Sequence, residues 1–354
     1  MPALDLTSSS VELTRALVDI FSVSGSEGEI ADAFEAALAP LKHLEVTRDG
    51  DTIVARTNLG RDRRAVIAGH LDTVPVNDNL PSRLDADGIL WGRGTVDMKG
   101  GCAILLKLAA ELTEPAVDVT WVWYDNEEVA SELNGLGRVS RHHPEWLAAD
   151  FAILAEPTDA EIEGGCNGTL RAEIRTTGKR AHSARAWAGD NAIHAAAPIL
   201  KLLAGYQARD VEVDGLVYRE GLSAVGISGG VAGNVIPDEC IVTVNYRFAP
   251  DQSGADAEGR VRAMFAGYDV TITDLADGAR PGLDDPLAQA FVASVGSEAR
   301  PKYGWTDVAR FSALGIPAVN YGPGDPALAH AYDERVPIEQ IERCEAGLRA
   351  WLSA

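Results

Sequence analysis

Arg64-Ala-Val-Ile-Ala-Gly69-His70-Leu71-Asp72-Thr73-Val74-Pro75 sets an apolar run directly before a His-x-Asp turn. Residues 64–69 read as a buried strand. Side chains alternate along a strand, so His70 and Asp72 point the same way. A neutral imidazole is a good zinc ligand, and a neighbouring carboxylate can orient it. A hydrogen-bonded turn residue is the plain alternative for a His at a strand end. Around this stretch, helices and strands alternate. Helical apolar spacing runs over 11–20 (Leu13, Leu17, Ile20) and 27–40 (Ile30, Phe34, Leu38), with Ser24 and Ser26 as candidate caps for the second helix. A helix over 103–112, a strand over 117–124 and a short strand over 151–154, ending at Glu156, follow. This order predicts an α/β fold with a mostly parallel sheet.

The middle of the chain changes character. Thr169-Leu-Arg-Ala-Glu-Ile-Arg-Thr176 alternates polar and apolar residues, as a half-exposed strand does. A helix at about 191–205 and strand-like runs over 222–227 and 241–248 complete a β-α-β-β order. That order predicts a small α+β unit with one sheet face free. From 283 the pattern returns to helix, loop, strand (317–321) and a last helix (338–352). The expected organisation is therefore a catalytic domain in two parts, 1–167 and 278–354, with 168–277 inserted between them. No internal repeat or low-complexity segment interrupts the chain.

The 354 residues suit about two domains. Apolar residues are 46% and charged residues 24%, with mean hydropathy near zero, as in a globular protein with ordinary cores. With 31 Lys and Arg against 53 Asp and Glu, the formal net charge is −22. Such a chain lacks the basic surface that nucleic acid or an anionic membrane requires, so neither is an expected partner. The excess acid reads as a solubilising surface. Met1–Ser10 has neither a basic nor an apolar targeting region, and no apolar run approaches the roughly 18 residues of a membrane span. Cys102, Cys166, Cys240 and Cys344 are scattered without a CxxC pair. They read as reduced, buried thiols of a cytoplasmic protein, so any metal site must use His, Asp and Glu.

Four further motifs carry possible chemistry. Gly92-Arg-Gly-Thr-Val-Asp97-Met-Lys-Gly-Gly101 flanks one Asp with glycines just before a helix. Asp97 could bridge two cations or cap that helix. Asp125-Asn126-Glu127-Glu128 follows the strand over 117–124. Adjacent carboxylates raise each other's pKa unless a cation lies between them. At a strand's C-terminal end, one can bind metal while its neighbour acts as general base; a solvated acidic turn is the alternative. Glu156, in Ala155-Glu156-Pro157-Thr158, is placed like Glu128, and His330 follows the Gly/Pro-rich loop 322–326. Together the motifs offer two His and several carboxylates without thiolate, a donor set suited to an open catalytic zinc pair.

The segments Gly69–Pro75, Gly92–Gly100, Asn126-Glu-Glu128, Ala155-Glu-Pro-Thr158, Gly178-Lys-Arg-Ala-His182-Ser183 and Asn234-Val-Ile-Pro237 resemble, in order, the motifs of the di-zinc aminoacylase/exopeptidase family. That family includes acetylornithine deacetylase and succinyl-diaminopimelate desuccinylase. Gly304-Trp-Thr-Asp-Val-Ala-Arg-Phe311 and Asn320-Tyr-Gly-Pro-Gly-Asp-Pro326 resemble one desuccinylase branch.

The resemblance implies two zinc ions, one replaceable by cobalt or manganese, held by His70, Asp97, Glu128, Glu156 and His330. Asp97 would bridge, with His70 and Glu156 on one ion and Glu128 and His330 on the other. Asp72 would orient His70, Glu127 would be the general base, and the peptide bond after Asp97 would be cis. The insert would be a ferredoxin-like lid that forms a homodimer. Through it His182 would reach the partner's site and polarise the substrate carbonyl. Asn234, Arg247 and Thr306 would contact substrate, Arg247 by a forked pair with a carboxylate. The implied reaction is hydrolysis of N-succinyl-L,L-2,6-diaminopimelate. N-acetylornithine or a dipeptide is the alternative substrate, and a metal-free binding protein is the alternative class.

Overall fold

The computed structural model describes residues 3–354; Met1 and Pro2, which begin the segment read as lacking a targeting signal, lie outside them. The chain forms two compact units. The first runs to Gly164 and resumes at Pro281–Arg300 and Arg310–Ala354; the second comprises Gly165–Arg280 and Pro301–Ala309. The segment 301–309, expected in the catalytic part, thus groups with the second unit. Local bonds explain this: Asn167 N–H donates to Lys302 O at 3.1 Å and the Trp305 indole donates to Asp277 O at 3.0 Å.

In the first unit Arg64–His70 lies between Asp118–Tyr124 and Phe151–Leu154, parallel to both, and Ala318–Asn320 continues the parallel set. Thr52–Arg56 pairs antiparallel with Asp118–Tyr124, and Glu45–Asp49 pairs antiparallel with Thr52–Arg56 at the sheet's edge. Every residue of Asp118–Tyr124 is buried, as in a sheet covered on both faces. Helix Lys99–Glu111 packs on Ser10–Val18, Ile338–Leu352 and the strand Arg64–His70. Phe151, Phe291, Tyr321 and Trp351 interlock with ring centroids 5.2 to 6.3 Å apart.

Two local expectations need correction. The helix expected at 103–112 begins at Lys99, because Gly100 and Gly101 are helical rather than loop residues. A Cβ at Gly101 would lie 2.4 Å from Ala155 O, so only glycine permits this approach of helix to strand end. Ser24 and Ser26 do not cap Gly28–Leu38: Glu27 occupies the N-cap, and Ser24 Oγ instead donates to Asp72 Oδ2 at 2.7 Å.

The second unit holds a four-stranded antiparallel sheet ordered Gly221–Gly229, Glu239–Phe248, Gly168–Thr177, Asp269–Ala276. The helix expected at 191–205 is two, Ala192–Ala195 and Ala197–Ala204, with Pro198 opening the second. Helix Gly254–Met264, strand Asp269–Ala276 and the hairpin of Asp210–Val213 and Leu216–Arg219 were not anticipated. One sheet face buries Leu170, Ala172, Ile174, Val242 and Val244 against Ile199, Ala257 and Val261. The other presents Thr169, Arg171, Asn245 and Arg247, as the register requires.

Glu220 knots this unit together. Its enclosed carboxylate accepts from Arg209 at 2.6 and 2.8 Å, Gln252 at 3.0 Å and Tyr246 at 3.1 Å. Burial pushes its pKa up, but the Arg209 bonds outweigh this and hold it below the ordinary value of 4.5. A depressed carboxylate stabilises the fold above its unfolded pKa and loses that contribution as pH falls through the folded one. Glu220→Gln should therefore cost about 2 kcal/mol at pH 7. The gap from wild type should hold above the ordinary value of 4.5 and narrow as pH falls below it in denaturant melts; a gap that widens or stays constant throughout the acid range would contradict the assignment.

All four cysteines are buried and free. No helix among the described residues is long and apolar enough to cross a membrane.

Candidate metal centre

Parallel strands put all their C-terminal ends at one sheet edge, where such folds bind ligands. His70 ends its strand; Asp125–Glu128, Glu156 and the loop bearing His330 follow the strands Asp118–Tyr124, Phe151–Leu154 and Ala318–Asn320. Asp97 joins them from the turn before helix Lys99–Glu111. The result is three overlapping donor groups, each with ligand atoms within 4.8 Å of one another: His70, Asp97 and Glu156; His70, Glu127 and Glu128; Asp97, Glu128 and His330. Asp97 belongs to two groups. Its Oδ1 lies 3.0 Å from His70 Nε2 and its Oδ2 lies 3.2 Å from His330 Nε2, while His330 Nε2 is 2.8 Å from Glu128 Oε1. The Asp97–Met98 peptide bond is cis. Met98, not Asp97, is the helix N-cap, with no side-chain cap bond, so the Asp97 carboxylate is not used as a cap.

A second tier of carboxylates holds these groups through backbone N–H donors. Asp72 does more than sit beside His70, whose Nδ1 is 3.0 Å from Asp72 O and 3.5 Å from Asp72 Oδ1. Its Oδ1 accepts from Glu127 N–H at 2.9 Å and its Oδ2 from Glu128 N–H at 3.1 Å. Glu27 accepts from Asn126 N–H at 3.0 Å, and Asn126 adopts φ 58° just before the acidic pair. Glu334 accepts from Gly94, Val96 and Asp97 N–H groups. The carbonyl of Ala155, next to Glu156, is approached by two glycines: a Cβ at Gly322 would lie 2.3 Å from Ala155 O, and one at Gly101 2.4 Å from it.

Carboxylate–imidazole contacts dominate the electrostatics of the cluster. Contacts with Asp97 and Glu128 raise the His330 pKa to about 10. Burial works against a charged His70, yet Asp72 and Asp97 overcome it and lift its pKa well above the ordinary value. Burial pushes the Asp97 carboxyl up, but His330 and His70 outweigh it and hold the group well below the carboxylate range. Two imidazoles and four carboxylates without thiolate fit a pair of divalent cations of the zinc type.

The remaining candidates lie in the second unit. His182 and Asn234 are exposed and meet across a short ladder: His182 pairs with Val235, and Ser183 N–H donates to Asn234 O at 2.8 Å. His182 Nδ1 accepts from Ala184 N–H at 3.0 Å, which leaves Nε2 as the ring nitrogen outside that bond. Arg247 is half-buried on the polar sheet face, opposite Thr169. Burial and the nearby Arg171 guanidinium both lower its pKa. Thr306 is buried, its carbonyl 3.8 Å from Cys166 Sγ.

Glu27 and Glu334 escape a reading of the sequence. Glu27 looks like a first-turn helix acid and Glu334 like half of a solvated Asp-Glu turn. Neither has a local signal, since Glu334 and Asp97 are 237 residues apart.

Comparison with known proteins places the chain. A family described as peptidase family M20/M25/M40 matches residues 66–354. The Mycobacterium tuberculosis protein DapE is 57% identical over 352 residues, 99% of each chain. Corynebacterium glutamicum succinyl-diaminopimelate desuccinylase is 49% identical over 363 residues, 99% of this chain and 98% of the other. Among solved structures, a tripeptidase from Staphylococcus aureus superposes with TM-score 0.80 at 21% identity, covering 99% of this chain and 98% of its own.

Proposed function

We infer, since this chain belongs to peptidase family M20/M25/M40, that it is a metal-dependent amide hydrolase whose substrate is N-succinyl-L,L-2,6-diaminopimelate. The substrate reading rests on the Corynebacterium glutamicum desuccinylase, which shares about half its residues with this chain over nearly the full length. The observation that carries the chemistry is the convergence of His70, Asp97, Glu128, Glu156 and His330 beside Glu127. In our reading His70, Asp97 and Glu156 would hold one zinc ion and Asp97, Glu128 and His330 the other, one of the two replaceable by cobalt or manganese.

Zinc bound there would polarise the acyl carbonyl and bring the pKa of water to about 7. The other steps belong to the chain. Glu127, its backbone fixed by Asp72, takes a proton from the attacking water. The water oxygen bonds to the acyl carbon, the C–N bond breaks, and Glu127 returns the proton to the departing amine. Succinate and L,L-2,6-diaminopimelate result. Asn234 and Arg247 bind the substrate, Arg247 through a carboxylate.

We also read the second unit as a lid and homodimer interface that presents His182 to the partner's centre. Strand Gly221–Gly229 is a sheet edge, and Val225, Ile227 and Val231 are 60%, 53% and 66% exposed. An apolar, unpaired edge invites a second copy. Four free cysteines suit a reducing cytoplasm.

A substrate panel tests the main reading. The zinc-loaded enzyme should favour the succinyl substrate over N-acetylornithine and dipeptides by about 100-fold or more in kcat/KM, the discrimination expected when the half-buried Arg247 is left without its carboxylate. Preference for acetyl would overturn the substrate. Sedimentation should give twice the 37.5 kDa chain mass; a monomer at micromolar concentration would remove the dimer.

A further inference from the structure

Glu334 is 1% exposed and four residues past His330, and both its oxygens serve a single loop. Oε1 accepts from Gly94 N–H at 2.9 Å, Val96 N–H at 3.0 Å and Asp97 N–H at 3.1 Å. Oε2 accepts from Arg93 Nη1 at 2.8 Å, with Arg93 itself 2% exposed. The Glu334 carbonyl also accepts from Gly92 N–H at 3.1 Å, and the next residues, Arg335–Pro337, pair with Ile89–Trp91. Gly94, at φ 86°, lets the N–H groups of Gly94, Val96 and Asp97 turn inward while Thr95 N–H donates to Gly92 O, and a Cβ at Gly94 would lie 2.8 Å from Thr73 Cγ2. Backbone donors aimed at one point form an anion nest. Here the anion is a side chain of the protein.

This matters because of what stands at each end of the clamp. The loop ends at Asp97. The clamped segment begins at His330, which sits at φ 63° and is followed by the exposed Tyr332 and Asp333. Glu334 is the buried anchor of that segment. Of the Asp97–Glu128–His330 group, two donors of three therefore depend on it. Of the His70–Asp97–Glu156 group only Asp97 does, since His70 ends a central strand and Glu156 follows another.

We propose that Glu334 is a positioning residue that sets the relative placement of Asp97 and His330, and so the divalent-cation affinity of the Asp97–Glu128–His330 group in preference to its neighbour. Glu334 touches neither substrate nor, by its placement, the ions; it acts through the two residues it joins.

Zinc titration of the full chain against a chromophoric chelator tests this, with Glu334→Gln as the first variant. The amide oxygen can still accept the three N–H bonds, but the charged contact to Arg93 is lost. One ion's Kd should rise about 10- to 100-fold, the usual effect of losing an outer partner, with the other ion's changed by less than about 3-fold. The zinc concentration for half-maximal activity should rise in parallel, and kcat should return to near wild type at saturating zinc. Arg93→Lys keeps the nest and weakens only the Oε2 contact; it should show a smaller shift of the same kind, and it decides the matter if Glu334→Gln does not fold. Wild-type affinity at both ions, equal weakening of both, or a kcat loss that zinc does not restore would each overturn the proposal. A wild-type chain that binds one ion would defeat the two-ion reading itself, a result distinct from wild-type-like behaviour of the variants.

Discussion

Glu127→Gln is expected to lower kcat about 10³- to 10⁴-fold, the upper part of the range for a general base, while two equivalents of metal stay bound and the melting temperature is unchanged. The substitution keeps the size and one acceptor oxygen of the side chain and removes its basicity. Its backbone anchor is unaffected, because Asp72 Oδ1 holds residue 127 through the N–H at 2.9 Å. Binding to the ions should survive because His70, Asp97, Glu128, Glu156 and His330 are all untouched. Metal analysis beside steady-state kinetics separates the outcomes. Full activity would remove Glu127 from the chemistry. Loss of activity together with loss of one metal equivalent would make Glu127 a ligand, which the His70–Glu127–Glu128 group makes geometrically feasible.

The elements that position this residue were legible for a physical reason. A central parallel strand is buried on both faces, so it appears in the sequence as a continuous apolar run, and its C-terminal end is where polar residues resume. His70, the acidic pair and Glu156 each stand at such a boundary, so the strand pattern alone aligned them along one edge. Asp97 lies on no strand, and its neighbouring glycines, not periodicity, mark it in the sequence. The same glycines hid the first turn of helix Lys99–Glu111, because two adjacent glycines argue against a helix unless close packing demands them. The Gly101 approach to Ala155 supplies that demand.

What stayed illegible was non-local. Asp72 was expected to orient one imidazole, but it also gathers the backbone of Glu127 and Glu128 and the hydroxyl of Ser24. Ser24 was expected to cap a helix, as a Ser just ahead of an apolar period does. A carboxylate brought in by the fold competed for its hydroxyl. The hairpin turn at Asp214-Gly215 was different: its signal was local, with both residues at positive φ as a two-residue turn requires, and could have been read. The segment 301–309 joins the second unit by hydrogen bonds that leave no trace in hydrophobic patterning.

The strongest dependence on a single side chain should appear at Asp97. Its two oxygens face two different imidazoles, at 3.0 and 3.2 Å, so one carboxylate serves both donor groups. Asn at this position keeps one acceptor and replaces the other by an NH2 donor, which opposes a cation on that side. It also removes the negative charge shared between the groups. Asp97→Asn is therefore expected to bind fewer than two zinc ions at micromolar free metal and to lose about 10⁴-fold or more in kcat/KM, roughly 5 kcal/mol of transition-state stabilisation. The backbone bonds from Glu334 do not use the Asp97 carboxylate, so the loop should keep its course and the variant should fold. Excess zinc should restore little, because the missing group is a donor itself and not the scaffold behind one. Two tightly bound ions with activity near wild type would show that Asp97 does not join the groups, and would leave His70 with Glu156 and Glu128 with His330 as independent sites.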